Sequence, residues 1–339
     1  MARKDADSSG FSTRVVAVPP VFPSAQPELD ASLLTDLARC FWAKSGDGES
    51  TWLSVVQHLM DAADIAGYLF DEYLSEHHRR LMASVWGGDQ KKARAAFVFL
   101  AGIHDVGKVS AVFACQCEEL VKLIHDVMPE EHYSRRAALP HGFVSQFALQ
   151  EEIEACGADP SRAFQWAVLV GVHHGHYPES TDVGRAYDQH CNLMKASDDG
   201  QQWGQARSDI LRWMAARSGF PLIAPGTALP ELPIAVASAY ASALVIADWL
   251  ASNEDYFPLR PRPVGETGKL SIEGYLELTA DQQRERVERA WKQAGFPTPL
   301  RIPETPTGEV AEFYRRRFGW PDTYRPTEAQ RAAIEIATH

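Results

Sequence analysis

The sequence predicts an all-α fold, on three observations. Apolar residues recur at three- and four-residue spacing along most of the chain, convincing alternating strands are scarce, and no internal repeat is visible. With 339 residues, 45% hydrophobic and 23% charged, there is material for one large packed domain or two ordinary ones.

Residues 1–30 are rich in serine, proline and small side chains and read as a loose lead-in, with one short strand at Arg14 to Val18. Ala31 to Lys44 places Leu33, Leu34, Leu37 and Phe41 at helical spacing, and Ser45 to Ser50 is a loop. Thr51 to Leu74 is expected as one long helix, with Leu53, Val56, Leu59, Ala62, Ile65, Ala66 and Leu69 along one side and His58 on or beside that stripe. Glu76 to Gly88 is helical and basic. A central helix opens at Lys91 and reaches Lys108; its Ala95 to Ile103 portion is apolar on every side, so it is expected to be buried all round.

A short helical stretch to Lys122 and a charged connection to Pro140 follow. His141 begins a helix to about Glu154, and Pro160-Ser161 starts another whose apolar Trp166–Val172 run leads into His173-His174-Gly175. The glycine suits a helix C-terminus and would leave the paired histidines on the last turn. Asp182 to Arg217 reads as helix with polar interruptions, and Leu232 to Ser252 as an alanine-rich helix with Asp248 near its end. Residues 31–256 are thus expected to form the main domain. Residues 257–300 would be a linker and an amphipathic accessory helix, Ile272 to Gln293, and residues 301–339 a tail that is basic at Arg315–Arg317 and helical from Thr327.

The chemistry gathers on the central helix, where His104 and Asp105 follow the apolar run and Gly107 and Lys108 come next. A buried carboxylate beside a buried imidazole is costly unless something pairs with both, and a metal ion would do so. Imidazole and carboxylate suit Zn, Mn, Fe, Co and Ni. Further candidate ligands are His58, His141, His173, His174 and Asp248. Neighbouring residues on a helix point about 100° apart, so His104 could serve one ion while Asp105 bridges to a second. Seven ligands exceed what one ion needs and suit two ions sharing Asp105, an arrangement that clamps both the attacking and the leaving oxygen of a phosphodiester. No Gly-x-Ser-x-Gly motif is present and no cysteine has a neighbouring activator, so water activated by metal is the expected nucleophile. Taken singly, His58, His141 and Asp248 have plainer readings as core or surface groups; the ordered set carries the metal reading. His77-His78, His176, His190 and Cys115-Gln-Cys117 are left to solvated or buried roles.

In this order, His58, His104-Asp105 with Lys108, His141, His173-His174 and Asp248 resemble the HD superfamily of metal phosphohydrolases. With Ala247-Asp-Trp-Leu-Ala-Ser-Asn253, the paired histidines resemble one branch of it, the HD nuclease domain of the CRISPR-associated nuclease-helicase recruited by the Cascade surveillance complex. The resemblance covers about residues 50 to 255. It implies that His58, His104 and Asp248 hold one divalent ion and His141, His173 and His174 another, with Asp105 shared. It also implies that Lys108 lies near the scissile phosphate, that the metals are Mn, Ni, Co or Fe, and that the substrate is single-stranded DNA. Tyr324-Arg-Pro-Thr-Glu-Ala-Gln330 resembles the Q motif preceding superfamily 2 helicase domains, in which Gln330 would read adenine beneath Phe318 or Trp320. No phosphate loop follows before His339, so ATP is expected only through a helicase region missing from this chain.

Composition narrows the rest. A net charge of -12 opposes an unaided grip on nucleic acid. The five cysteines show neither zinc spacing nor a disulfide framework, which with the absence of a signal peptide suggests the cytoplasm. No apolar stretch is expected to reach the roughly 18 residues of a membrane span. Gly102-Ile-His-Asp-Val-Gly-Lys108 imitates a P-loop, but Val109 stands where the magnesium-binding hydroxyl belongs. Two rivals keep the histidines: an HD phosphohydrolase acting on free nucleotides, and a non-catalytic helical adaptor with a structural metal site.

Overall fold

The computed structural model describes residues 34–46, 50–127, 139–175, 183–187, 200–220, 229–297, 310–321 and 323–332. The expected strand at Arg14 to Val18, together with His176, His190 and Cys191, lies outside them. The described fold is predominantly helical, as expected, with one small sheet that the sequence reading lacked.

That sheet corrects two helices. Between Ala31 and Lys44 only α1 (Asp36–Arg39) is helical, capped by the Thr35 hydroxyl, and the chain then extends as β1 (Trp42–Lys44). The expected long helix begins four residues late: Thr51–Ser54 is β2, and α2 (Val55–Tyr68) starts where the Ser54 hydroxyl accepts from the Gln57 amide. β1 and β2 pair antiparallel, with Trp42 opposite Ser54 and Lys44 opposite Leu53 and an irregularity between. β3 (Arg260–Pro261) pairs with the other edge of β2. Local periodicity could not show this, because tryptophan, phenylalanine and alanine at these spacings satisfy a strand packed on a core as well as a helix.

After α2 the chain makes a π turn over Leu69–Tyr73, then α3 (Glu76–Ser84) and α4 (Gln90–Ala101). Two short helices follow, α5 (Ala111–Ala114) and α6 (Val121–Val127). α7 (His141–Ala155) and α8 (Pro160–Gly171) form a helical hairpin, so the start of one and the end of the other meet. α9 (Gly200–Ser218) packs on α4 and α7. α10 (Ile234–Ser252) crosses α2, α3, α4 and α8. α11 (Ala280–Ala294) carries a Thr279–Gln282 capping box and lies on α2, and α12 (Val310–Phe318) follows.

α10 corrects the membrane expectation in part, since by length and composition it could cross a membrane. Its place is nevertheless in the core: Val236, Tyr240, Leu244, Ala247 and Ala251 are buried among the surrounding helices, and Tyr240 holds the Trp86 indole through its hydroxyl at 3.0 Å. A helix apolar nearly all round is what a central position in a large domain requires. Among the described residues, Cys40, Cys115, Cys117 and Cys156 form no disulfide.

A buried polar network joins α11 to α2. The Arg286 guanidinium forks onto both oxygens of Asp61, at 3.0 Å from Nε to Oδ1 and 2.9 Å from Nη2 to Oδ2. Gln57 and Gln283 also donate to Asp61. Asp61 is wholly buried, so the accessory helix neutralises a charge inside the same body that holds His58.

Candidate metal centre

The His104-Asp105 and His173-His174 pairs stand just beyond helix ends, and this corrects their expected placement within the helices. α4 stops at Ala101, Gly102 caps it, and His104 and Asp105 occupy the turn before a single 3-10 turn at Val106–Lys108. α8 likewise stops at Gly171, and His173 and His174 follow in a turn closed by Gly175 at φ +77°. Glycines allow the close approach. A Cβ on Gly102 would lie 2.4 Å from Met214 Sδ, and one on Gly107 would lie 2.0 Å from the His141 carbonyl oxygen. The Gly107 amide donates to Ser145 Oγ at 2.8 Å, tying the turn to α7. A turn between helices also removes the P-loop resemblance, which needs a strand before its glycines.

Leaving the helix frees both imidazoles to anchor on the carbonyls it leaves exposed. His104 Nδ1 donates to Ala101 O at 2.7 Å, and His173 Nδ1 to Val170 O at 2.6 Å. Each anchor turns Nε2 inward, the outer-sphere contact that orients a metal-binding histidine.

The seven predicted ligands meet in two groups. His58, His104, Asp105 and Asp248 form an inner, buried group. His141, His173 and His174 form an outer one, in which His173 is buried, His141 half-buried and His174 exposed. Asp105 lies between them with one oxygen toward each. Its Oδ2 is 3.0 Å from His58 Nε2 and 3.5 Å from His104 Nε2. Its Oδ1 is 3.1 Å from His141 Nε2 and 3.3 Å from His173 Nε2. Asp248 Oδ1 lies 3.2 Å from His104 Nε2, and His174 Nε2 lies 3.0 Å from His141 Nε2.

These residues fit divalent ions. Donors sharing an ion at about 2.1 Å stand about 3.0–3.4 Å apart, the range of most of the separations just given. His58 Nδ1, His58 Nε2, Asp105 Oδ1 and His173 Nε2 are buried without a hydrogen-bond partner among the described residues. Buried polar atoms seldom remain so, and all but His58 Nδ1 point into the two groups.

The charge states suit the same purpose. Burial pushes His58 down to about 4, against the pull of Asp105. The partial cover of its ring and the neighbouring His173 and His141 push the exposed-edge His174 down to about 4 as well. Burial opposes ionisation of Asp105, yet Lys108 and His104 hold it well below the usual carboxylate range. Burial also opposes ionisation of Asp248, and the His104 contact outweighs it. Burial disfavours the charged form of His104, but Asp105 and Asp248 raise its pKa. At neutral pH the centre therefore offers ionised carboxylates and neutral His58 and His174.

Lys108 does not sit among the ligands. Its ammonium is 2.7 Å from Asp105 Oδ2, 3.3 Å from the Ala43 carbonyl and 5.4 Å from the centre of the Phe113 ring. Gln330 is far along the chain, and its side-chain carbonyl accepts from the Thr327 amide at 2.9 Å, a helix-capping use. The sequence reading missed Ser252, whose hydroxyl donates to Asp248 Oδ1 at 2.9 Å. The signal was available, since a serine four residues after an aspartate shares its helix face.

Comparison with known proteins adds the lineage. Residues 42–257 match the family model described as Cas3, HD domain. The chain is 26% identical over 302 residues to the CRISPR-associated nuclease/helicase Cas3 of Streptococcus thermophilus, covering 83% of this chain and 30% of that protein. It is 29% identical over 235 residues to the CRISPR-associated endonuclease/helicase Cas3 of Thermus thermophilus, covering 66% of this chain and 23% of the relative. The crystal structure of the Thermus thermophilus Cas3 HD domain in the presence of Ni2+ superposes with a TM-score of 0.52 at 24% identity, covering 78% of this chain and 93% of that one. The chain thus spans less than a third of the length of the curated relatives it matches.

Proposed function

Because the chain belongs to the Cas3 HD-domain family, we propose that it is a metal-dependent nuclease that hydrolyses single-stranded DNA in CRISPR interference. One observation carries the reading: Asp105 stands between two groups of donors and turns a different oxygen to each. A single structural ion would need no shared carboxylate, which disfavours the adaptor reading. Two divalent ions held there, of Mn, Ni, Co or Fe, would supply Lewis-acid stabilisation of the phosphate and a lowered pKa for water.

The chain's own groups have defined tasks in this proposal. His104 and His173 hold fixed tautomers through their backbone anchors. Asp105 would serve both groups of donors, one oxygen to each, and Asp248 would complete the inner group, held by the Ser252 hydroxyl. Lys108 keeps Asp105 ionised and places a positive charge beside the scissile phosphate. The half-buried His141 and exposed His174 put the opening of the site on the outer side. A flexible single strand can bring a phosphate to groups recessed among helix ends, whereas a stiff duplex cannot easily do so.

In the whole protein a helicase region would deliver the strand, and ATP would act only there. The Cascade complex would recruit it, in a reducing cytoplasm that suits cysteines without zinc or disulfide spacing.

Matched single-stranded and duplex oligonucleotides, and nucleoside triphosphates, are incubated with the protein in Mn, Ni or Co and in EDTA. Single strands should be cut slowly and without sequence preference, intact duplex little, and nothing in EDTA. Efficient duplex cutting or survival of activity in the chelator would refute the proposal. Preferential hydrolysis of free nucleotides would select the phosphohydrolase rival.

A further inference from the structure

Three consecutive residues of strand β1 each contact a different segment beside the candidate metal centre. The Trp42 indole donates to the Ala114 carbonyl at 3.2 Å and its ring lies 4.5 Å from that of Phe113, which in turn lies 5.8 Å from His141. The Ala43 carbonyl takes the Lys108 ammonium at 3.3 Å. The Lys44 ammonium donates to the Ser252 carbonyl, at the C-terminal end of α10, and lies 4.0 Å from the Glu254 carboxylate. Ser252 is the residue whose hydroxyl holds Asp248 Oδ1 at 2.9 Å.

The geometry points to Lys44 as a positioning residue that fixes Asp248 through Ser252. A cation at a helix C-terminus satisfies a carbonyl the helix leaves without a partner and complements its dipole. Here the capped carbonyl belongs to the residue that sets the orientation of the inner carboxylate. The Lys44 side chain is only 18% exposed, so its charge is held at this point rather than left in water. Without it, the last turn of α10 can fray, Ser252 can turn away, and Asp248 Oδ1 loses the contact that aims it at His104 and His58. The inference rests on the proposed reading of the inner group as a metal site.

The test uses Lys44→Met, Lys44→Arg, Ser252→Ala and the Lys44→Met/Ser252→Ala double variant, titrated with Mn2+ alone by calorimetry after EDTA treatment. Lys44→Met should weaken one class of site by about 10-fold to 100-fold, the usual effect of losing a group that orients a ligand, and leave the other class unchanged. Ser252→Ala should act alike, the double variant should be no worse than the poorer single, and Lys44→Arg should restore most of the affinity. In the EDTA-treated protein the His104 imidazole 15N resonances should shift in Lys44→Met and Ser252→Ala while thermal unfolding stays near that of the parent.

Parental affinity and unshifted His104 resonances in Lys44→Met would overturn the proposal. So would equal loss at both classes with a lowered unfolding temperature, which marks a merely structural strand. A raised KM for single-stranded DNA with metal affinity unchanged would make Lys44 a substrate contact instead. Failure of the parent to bind Mn2+ would remove the metal reading itself, and the His104 resonances would still decide whether Lys44 positions Asp248.

Discussion

Asp105 has four cationic or imidazole groups within 3.3 Å of its carboxylate, so its removal should be felt by both donor groups at once. Asp105→Ala is expected to abolish cleavage and uptake of at least one ion while circular dichroism stays helical; elemental analysis of the purified variant checks it, and full metal content would contradict it. Lys108 touches the carboxylate but belongs to neither group, so Lys108→Ala should lower turnover much more than metal content, measured on one preparation. With His104 as a proposed ligand, a proton would compete with metal there. Its raised pKa means that the proton is bound below that value, so metal affinity should fall as the solution is acidified through it. Calorimetry in buffers of different ionisation enthalpy should show proton release on Mn2+ binding where His104 is still protonated, and release that fades as the pH is raised past its elevated pKa. Binding without proton release at any pH would count against His104 as a ligand.

At the scale of elements, the centre depends on helices that stop in the right place. The 3-10 turn at Val106–Lys108 presses so closely on α7 that a side chain at Gly107 meets the His141 carbonyl and Ser145. Gly107→Ala should therefore cost about 1–3 kcal/mol through overpacking, and also displace His141 from Asp105. Denaturant unfolding and metal titration of that variant should both move; an unaltered midpoint would show that the contact relaxes freely. α11 is tied to α2 by charge rather than by apolar area alone. Arg286→Ala leaves Asp61 buried without its counter-charge, a loss of about 3–5 kcal/mol. Asp61 lies one turn from His58, so hydrogen exchange should quicken along α2 as well as α11 in that variant.

For the whole molecule the governing quantity is charge. The net charge of -12 leaves few places where a polyanion can be held, and Arg79 and Arg80 are already engaged with Glu76. Affinity for single-stranded DNA should be weak and shallow in salt, since the slope is about -0.7 per neutralised phosphate. A steep dependence would reveal a basic surface not recognised among the described residues. Calorimetry with ATP should show no tight binding, because Gln330 caps its own helix. Binding at low concentration would instead support the Q-motif resemblance.

The sequence by itself determined the helical class, the seven side chains that the fold brings together and the likeness that the family match bears out. Those are legible because burial stripes repeat at helical spacing and because histidines beside carboxylates in an apolar setting demand an explanation. The tertiary structure decided where the helices stop, and so how the donors divide. That Ala101 and Gly171 are the last helical residues depends on what packs against Gly102, Gly107 and Gly142, contacts made by α7, α8 and α9 far away in the chain. The small sheet is equally nonlocal. Trp42–Lys44 is extended because Leu53 and Ser54 lie beside it, and Arg260 and Pro261 beyond them. No pattern within residues 31–44 encodes the position of residue 260. Lys44 owes its place against Ser252 to that pairing, which brings residues 208 positions apart into contact.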